Sequence, residues 1–365
     1  MRVVLLVLLM LPCFIKSAYA EDIYEQAAQE TGVYAVEEKL PEAARDISGA
    51  LKVDGSYDTE NALERLWGSF IGSVKSELEE NLKTAASLVA IAMLCALSGS
   101  LCSNRPIKEY IAIAGCCAAA VSLLGSMDSI VTQTVDALNQ LSDYSKAVLP
   151  AMFTAAAACG AVGSSAAKYA ATCLALDVLM SAAQKLIIPL VYSYLALALA
   201  GSVFPNSLLS NTAKLIKWMA TTAMTAMTIA FSAYIGMTGL VTGSIDAMAL
   251  KTARTVISTS LPVVGGIISD ASAAVLTAAS VIKNSAGVFG LIAVCALCAG
   301  PFAILSVRML VLKAAAAASD LVPNSRLSGL ISSVSTAMGL LLGLLGCCGI
   351  MLFISIMAGI KAVSL

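Results

Sequence analysis

Six apolar stretches, at 85–101, 111–127, 186–204, 218–240, 287–307 and 338–360, recur along this chain of 365 residues. Each approaches the roughly 20 residues that carry an α-helix across a bilayer. Hydrocarbon offers no partner to a backbone N–H or C=O, so runs of this kind are confined to helices that satisfy their own hydrogen bonds. Mean hydropathy of +0.88 with only 12% charged residues excludes an ordinary soluble domain. The expected fold is therefore all-α: a polytopic integral membrane protein. A seventh candidate, 147–163, is rich in alanine and contains Pro150, which leaves six or seven spanning helices.

The region ahead of these spans is different. Residues 1–20 carry Arg2, an apolar run from Val3 to Ile15 and an Ala18-x-Ala20 site, the pattern of a cleaved signal peptide. Residues 21–83 hold 15 acids against 6 bases, whereas 84–365 hold 8 against 14. This divides the chain into a signal peptide (1–20), an acidic extracytoplasmic helical segment (21–83) and a polytopic membrane domain (84–365). Nothing in this balance points to nucleic acid. Between Asp58 and Lys83, apolar residues recur at helical spacing, with Glu60, Glu64, Arg65, Lys75, Glu77, Glu79 and Glu80 largely opposite. Leu63, Trp67, Phe70 and Val74 are the docking candidates on the apolar stripe. An acidic polar side disfavours anionic lipid, so the stripe is expected to meet a partner or the protein's own body.

Orientation follows from the loops. If Glu21 lies outside, the first span ends in the cytoplasm, where Arg105 and Lys108 obey the positive-inside rule. With six spans Arg308 and Lys313 are cytoplasmic; with seven they move outside. The charge counts lean towards six.

Polar residues inside the apolar body are few. Asp177, Ser181, Gln184 and Lys185 fall within about 100° of one another on a helix and form a polar stripe. The weak apolar character of 166–183 favours a helix lying at the interface. A second anomaly is 261–290, where Leu261 and Pro262 end one helix, Gly265 and Gly266 relax the backbone, and Ser269 or Asp270 caps the next. That helix is expected to end near Lys283, Asn284 and Gly287, giving a broken-helix element. Small residues, including Gly339 and Gly343, suit close helix approach within the chain or in a homo-oligomer. The cysteines sit in apolar helices and read as unbridged packing residues. The sequence has no histidine, Walker motif, G-x-S-x-G elbow or H-E-x-x-H, so no catalytic, cofactor or metal residue is assigned and a non-enzymatic role is expected.

The order Leu261-Pro262-Val263-Val264-Gly265-Gly266, Ser269-Asp270-Ala271, Val275-Leu276, Ile282-Lys283-Asn284 and Gly287-Val288-x-Gly290 resembles the signature of the stage III sporulation protein AE family of endospore-forming bacteria. The resemblance implies a multi-pass protein of the mother-cell membrane around the forespore. It implies membership of a secretion-like channel complex that includes a separate ATPase and ring-forming proteins, needed for late forespore development. Mid-chain helix interruptions also mark transporter substrate sites, so a secondary transporter or ion-conducting protein acting alone is the alternative.

Overall fold

The computed structural model describes residues 45–46, 59–102, 104–158, 162–204, 206–260, 265–321 and 326–361. The expected signal segment, most of the acidic segment before Thr59, and Leu261 to Val264 lie outside them, and for 238–260 and 265–286 only the helical backbone is described. Among the described residues there is no strand. The chain forms helices α1 (Thr59–Leu101), α2 (Arg105–Ala158), α3 (Val162–Ala182), α4 (Ile188–Val203), α5 (Ser207–Ser260), α6 (Gly265–Asp320) and α7 (Arg326–Lys361). A π-helical turn, Ala183–Ile187, joins α3 to α4 without a break.

Local chemistry sets several of these boundaries. Pro106 sits in the first turn of α2, where its missing N–H costs nothing. Phe204 leaves α4 in an extended conformation ahead of Pro205, and Asn206 Oδ1 accepts from Leu208 N at 2.9 Å to cap α5. The π turn ends two residues before Pro189, whose ring cannot accommodate the carbonyl four residues back in a regular helix.

Six rods result, and each of the six strong apolar stretches falls on its own rod. Among the described residues, five helical stretches are long and apolar enough to cross a membrane: Asn61–Leu101, Pro106–Thr154, Ala171–Val203, Gly287–Asp320 and Arg326–Ile360. The candidate 218–240 on α5 is not among them in its described part. The seventh candidate was expected to be interrupted at Pro150, but α2 runs through it to Ala158. Burial of Ala151, Met152 and Phe153 holds the helix there, and Thr154 Oγ1 donates to Pro150 O at 2.8 Å. A rod with no reversal between 127 and 147 cannot cross a bilayer and return.

Helix α7 lies at the centre, packed on α6 most extensively and also on α2, α3, α4 and α5. Leu330, Ile331, Leu341, Leu344, Leu345, Cys348, Met351, Leu352 and Ile356 are fully buried. Its small residues admit neighbours: a methyl at Gly339 would lie 3.3 Å from Met309 Sδ, and one at Gly349 3.2 Å from Cys298 Sγ. Gly343 faces Met224 of α5, so both glycines of the expected dimer motif are used within the chain. The nine described cysteines are free.

The signature segment departs from expectation in two ways. Helix α5 ends at Ser260, as Leu261-Pro262 requires, but α6 starts at Gly265, which puts Ser269 and Asp270 inside its first two turns rather than at its cap. Nor does a helix end near Lys283, Asn284 or Gly287, because α6 continues to Asp320. Gly287 serves close packing instead. A Cβ there would collide with Ile360 of α7 and lie 3.2 Å from Met152 Cε of α2.

One ion pair fixes how α1 seats. Arg308 Nε of α6 donates to Glu77 Oε2 of α1 at 3.3 Å, with both side chains more than four-fifths buried (15% and 17% exposed). Asn81 Nδ2 donates to the same Oε2 at 3.0 Å. Glu77 was expected on the outer polar side. The helix is instead rotated so that Ala62, Leu66, Glu77, Asn81 and Leu88 turn inward. Beyond the pair, Cys95 reaches Gly115 of α2, which also meets Leu327 at the start of α7, so α1 and α6 run parallel. Glu77 and Arg308 therefore stand at one height, at odds with a six-span count that sets Glu77 outside and Arg308 inside. No turn marks Lys83.

Two tests follow from this packing. Valine at Gly287 should destabilise the protein by about 1–3 kcal/mol or prevent folding through overpacking, while Gly68→Ala, with nothing within 4 Å, should be neutral in the same detergent unfolding titration. Glu77→Lys should cost about 3–5 kcal/mol by leaving Arg308 uncompensated, and adding Arg308→Glu should recover a large part of that loss.

Candidate docking face and polar seam

The four docking candidates on α1 divide into two pairs. Leu63 and Trp67 are 56% and 63% exposed, whereas Phe70 and Val74 are half-buried towards the body. Ile71, Leu78 and Leu82 are also exposed, continuing the open face at steps of four and seven residues. Trp67 stacks on Phe70 with centroids 6.1 Å apart, which braces the indole in its exposed position. Rotation of α1 towards Glu77 is what leaves this row uncovered.

The expected polar stripe is placed along α2. Gln184 Nε2 donates to Asn139 Oδ1 at 2.9 Å. Asp177 Oδ1 lies 3.8 Å from Lys146 Nζ, which is equally distant from Asp143 Oδ1. Ser181 is half-buried and Lys185 exposed. Further along the same seam Tyr192 Oη donates to Asp128 Oδ1 at 3.3 Å. The stripe thus belongs to a rod packed against α2 and continuous with α4, not to a separate helix lying at the membrane surface. The π turn carries Gln184 and Lys185, and its extra residue changes the facing of the helix there.

Sequence reading missed the partner of this stripe. On α2 the exposed positions from 128 to 146 are Asp128, Ser129, Thr132, Gln133, Asp136, Asn139, Gln140, Asp143 and Lys146, all polar. Ile130, Val131, Ala137, Leu138, Leu141 and Tyr144 are buried on the other side. Steps of three and four between polar residues were the available signal.

Of the signature residues, Pro262 lies outside the described part; Gly265, Gly266, Ser269, Asp270, Lys283 and Asn284 are on the backbone of α6; Gly287 packs as described above. Among the described residues no cluster of three or more His, Cys, Asp or Glu could hold a metal ion.

No solved structure matches the chain significantly. One curated relative, the stage III sporulation protein AE of Bacillus subtilis (strain 168), is 21% identical over 167 residues, which is 46% of this chain and 42% of that protein. The match thus spans less than half the length of the curated relative. The family model described as stage III sporulation protein AE matches residues 51–362, from before α1 to the end of α7, and the long apolar helices and the 261–290 segment all fall inside it. The chain belongs to the stage III sporulation protein AE family.

Proposed function

We propose that this chain is a non-enzymatic membrane subunit of a secretion-like channel complex between mother cell and forespore, seated in the mother-cell membrane around the forespore and needed for late forespore development. Its partners in this reading are other membrane subunits, a separate ATPase and ring-forming proteins. The long apolar helices suit a membrane subunit. Family membership supports a role in sporulation. The single observation that carries the assembly reading is the uncovered row on α1, where Leu63 and Trp67 project from a helix fastened to the body through Glu77 and Arg308. A large aromatic in an exposed apolar row is the residue type that dominates binding energy at interfaces.

The test is substitution on the two sides of α1. Trp67→Glu and Leu63→Glu should each weaken co-purification with the other subunits by roughly thirty-fold, the equivalent of a hot-spot loss of about 2 kcal/mol. Insertion and detergent unfolding should stay unchanged, and development should stop after engulfment. Glu64→Gln, on the exposed polar side, should be tolerated. If both sides were equally tolerant, and the purified chain alone moved ions or solutes in liposomes, the protein would instead act by itself as a transporter.

A further inference from the structure

Nine consecutive exposed positions on α2, all polar, make a strip from Asp128 to Lys146 about 27 Å long. Its height relative to the apolar helices can be read from the glycines. A Cβ at Gly290 of α6 would lie 3.2 Å from Val148 of α2 and 3.5 Å from Ile356 of α7. At the other end Gly115 of α2 meets Leu327 of α7, so α2 and α7 run parallel, and the strip lies alongside roughly 336–354 of α7. Most of that segment belongs to the apolar stretch 338–360. Among the described membrane-grade helices, α6 and α7 carry the most apolar segments. The apolar stretch of α5 is level with them, since Gly343 faces Met224.

A bilayer centred on α6 and α7 therefore encloses the whole polar strip. Lipid cannot cover it, because each Asp or Lys at the middle of the hydrocarbon costs about 2.5–3.5 kcal/mol or more. Asp136 lies near the middle of the strip, and placing it in lipid would alone take a substantial share of the stability of an ordinary fold, about 5–15 kcal/mol. Exposed Ile350 and Phe353 of α7 suit lipid at this height. The exposed charges Glu64, Arg65 and Lys75 of α1, level with 295–306 of α6 through the Glu77–Arg308 pair, need water there as well.

We propose that the outer face of α2 from Asp128 to Lys146 is a water-facing wall at membrane depth, one side of an aqueous passage. Along the α3 seam Lys146 is shared by Asp143 and Asp177, which leaves the excess charge negative. The wall therefore favours water and hydrated cations over anions. This inference rests on α6 and α7 crossing the membrane and not on the docking of α1 to partners.

Chemical labelling of the native full-length chain in membranes of sporulating cells tests it, read by peptide mass spectrometry. A water-soluble carbodiimide with an amine should modify Asp136 and Asp143 to the same extent as exposed Glu109 near the start of α2. In the same membranes a lipid-borne carbene should label Ile350 and Phe353. Unreactive Asp136 and Asp143 would overturn the proposal, since lipid or another protein would then cover the strip. Carbene labelling of Met93 and Leu97 without Ile350 and Phe353 would overturn it differently, by placing the bilayer around the α1–α2 hairpin and the strip in bulk solvent. Co-purification of the Trp67→Glu variant reads the docking of α1 separately.

Discussion

Close approach of α7 to its neighbours is the interaction on which the rest of the structure depends. Lipid tails are as apolar as leucine, so burial of apolar area cannot by itself hold helices together within a bilayer. What remains is dispersion at short range and an occasional interhelical hydrogen bond. Helix α7 supplies both. Gly339, Gly343, Gly346 and Gly349 recur at steps of four, three and three residues and receive Met309, Met224, Phe302 and Cys298 respectively. Ser335 Oγ donates to Met309 O at 2.9 Å, adding a polar tie to the same contact. Half or more of the most apolar windows of α6 and α7 is buried (50% and 56%), against 11% in α1. The α6–α7 pair is accordingly the core against which the outer rods are set.

Setting the rods this way staggers their apolar segments. Glu77 is level with Arg308, and α1 runs parallel to α6, so the stretch beginning at Ala85 stands level with Ala316 and beyond. The apolar stretch of α6 has ended by then. Its counterpart on α2, 111–127, is likewise level with the start of α7. Two apolar zones thus occupy different heights on a bundle whose rods reach about 80 Å, well over twice the hydrocarbon thickness. The rods are too long for every residue to be judged by membrane rules. Which face of each rod is polar becomes as informative as which segment is apolar.

Composition and run length made the helical, membrane-grade character legible, because no other secondary structure satisfies a backbone in lipid. The signature segment was legible as far as the stop at Ser260, which Pro262 dictates locally. The continuity of α6 through Gly287 was not, since a glycine at a helix end and a glycine under a neighbouring helix look alike until Ile360 and Met152 are placed beside it. Glu77 illustrates the same limit. Its neighbours assign it to a charged outer face, and only Arg308, 231 residues away in sequence, turns it inward. Among the docking candidates, Leu63 and Trp67 kept their exposure, while the rotation forced by Glu77 drew Phe70 and Val74 towards the body. On α2 the polar periodicity of 128–146 was present in the sequence, but flanking apolar stretches drew attention to length rather than to facing.

The two sets of charges show how one fold accommodates polar groups beside apolar helices by different means. Glu77 and Arg308 are mostly buried and neutralise one another, with Asn81 supplying a further donor to the carboxylate. Pairing of this kind makes a fastener, and its loss on one side leaves an uncompensated charge. The charges of α2 are exposed, spaced along one face, and not matched one to one. Such a face needs water or polar partners against it. Because Gln184, Asp177 and Tyr192 bond to α2 from a single rod, the seam fixes the orientation of that polar face relative to its neighbours. The open row on α1 rests on the α6–α7 core through Arg308. A partner bound at Trp67 and the polar face of α2 would then be linked through the same pair of helices, α6 and α7, on which both α1 and α2 pack.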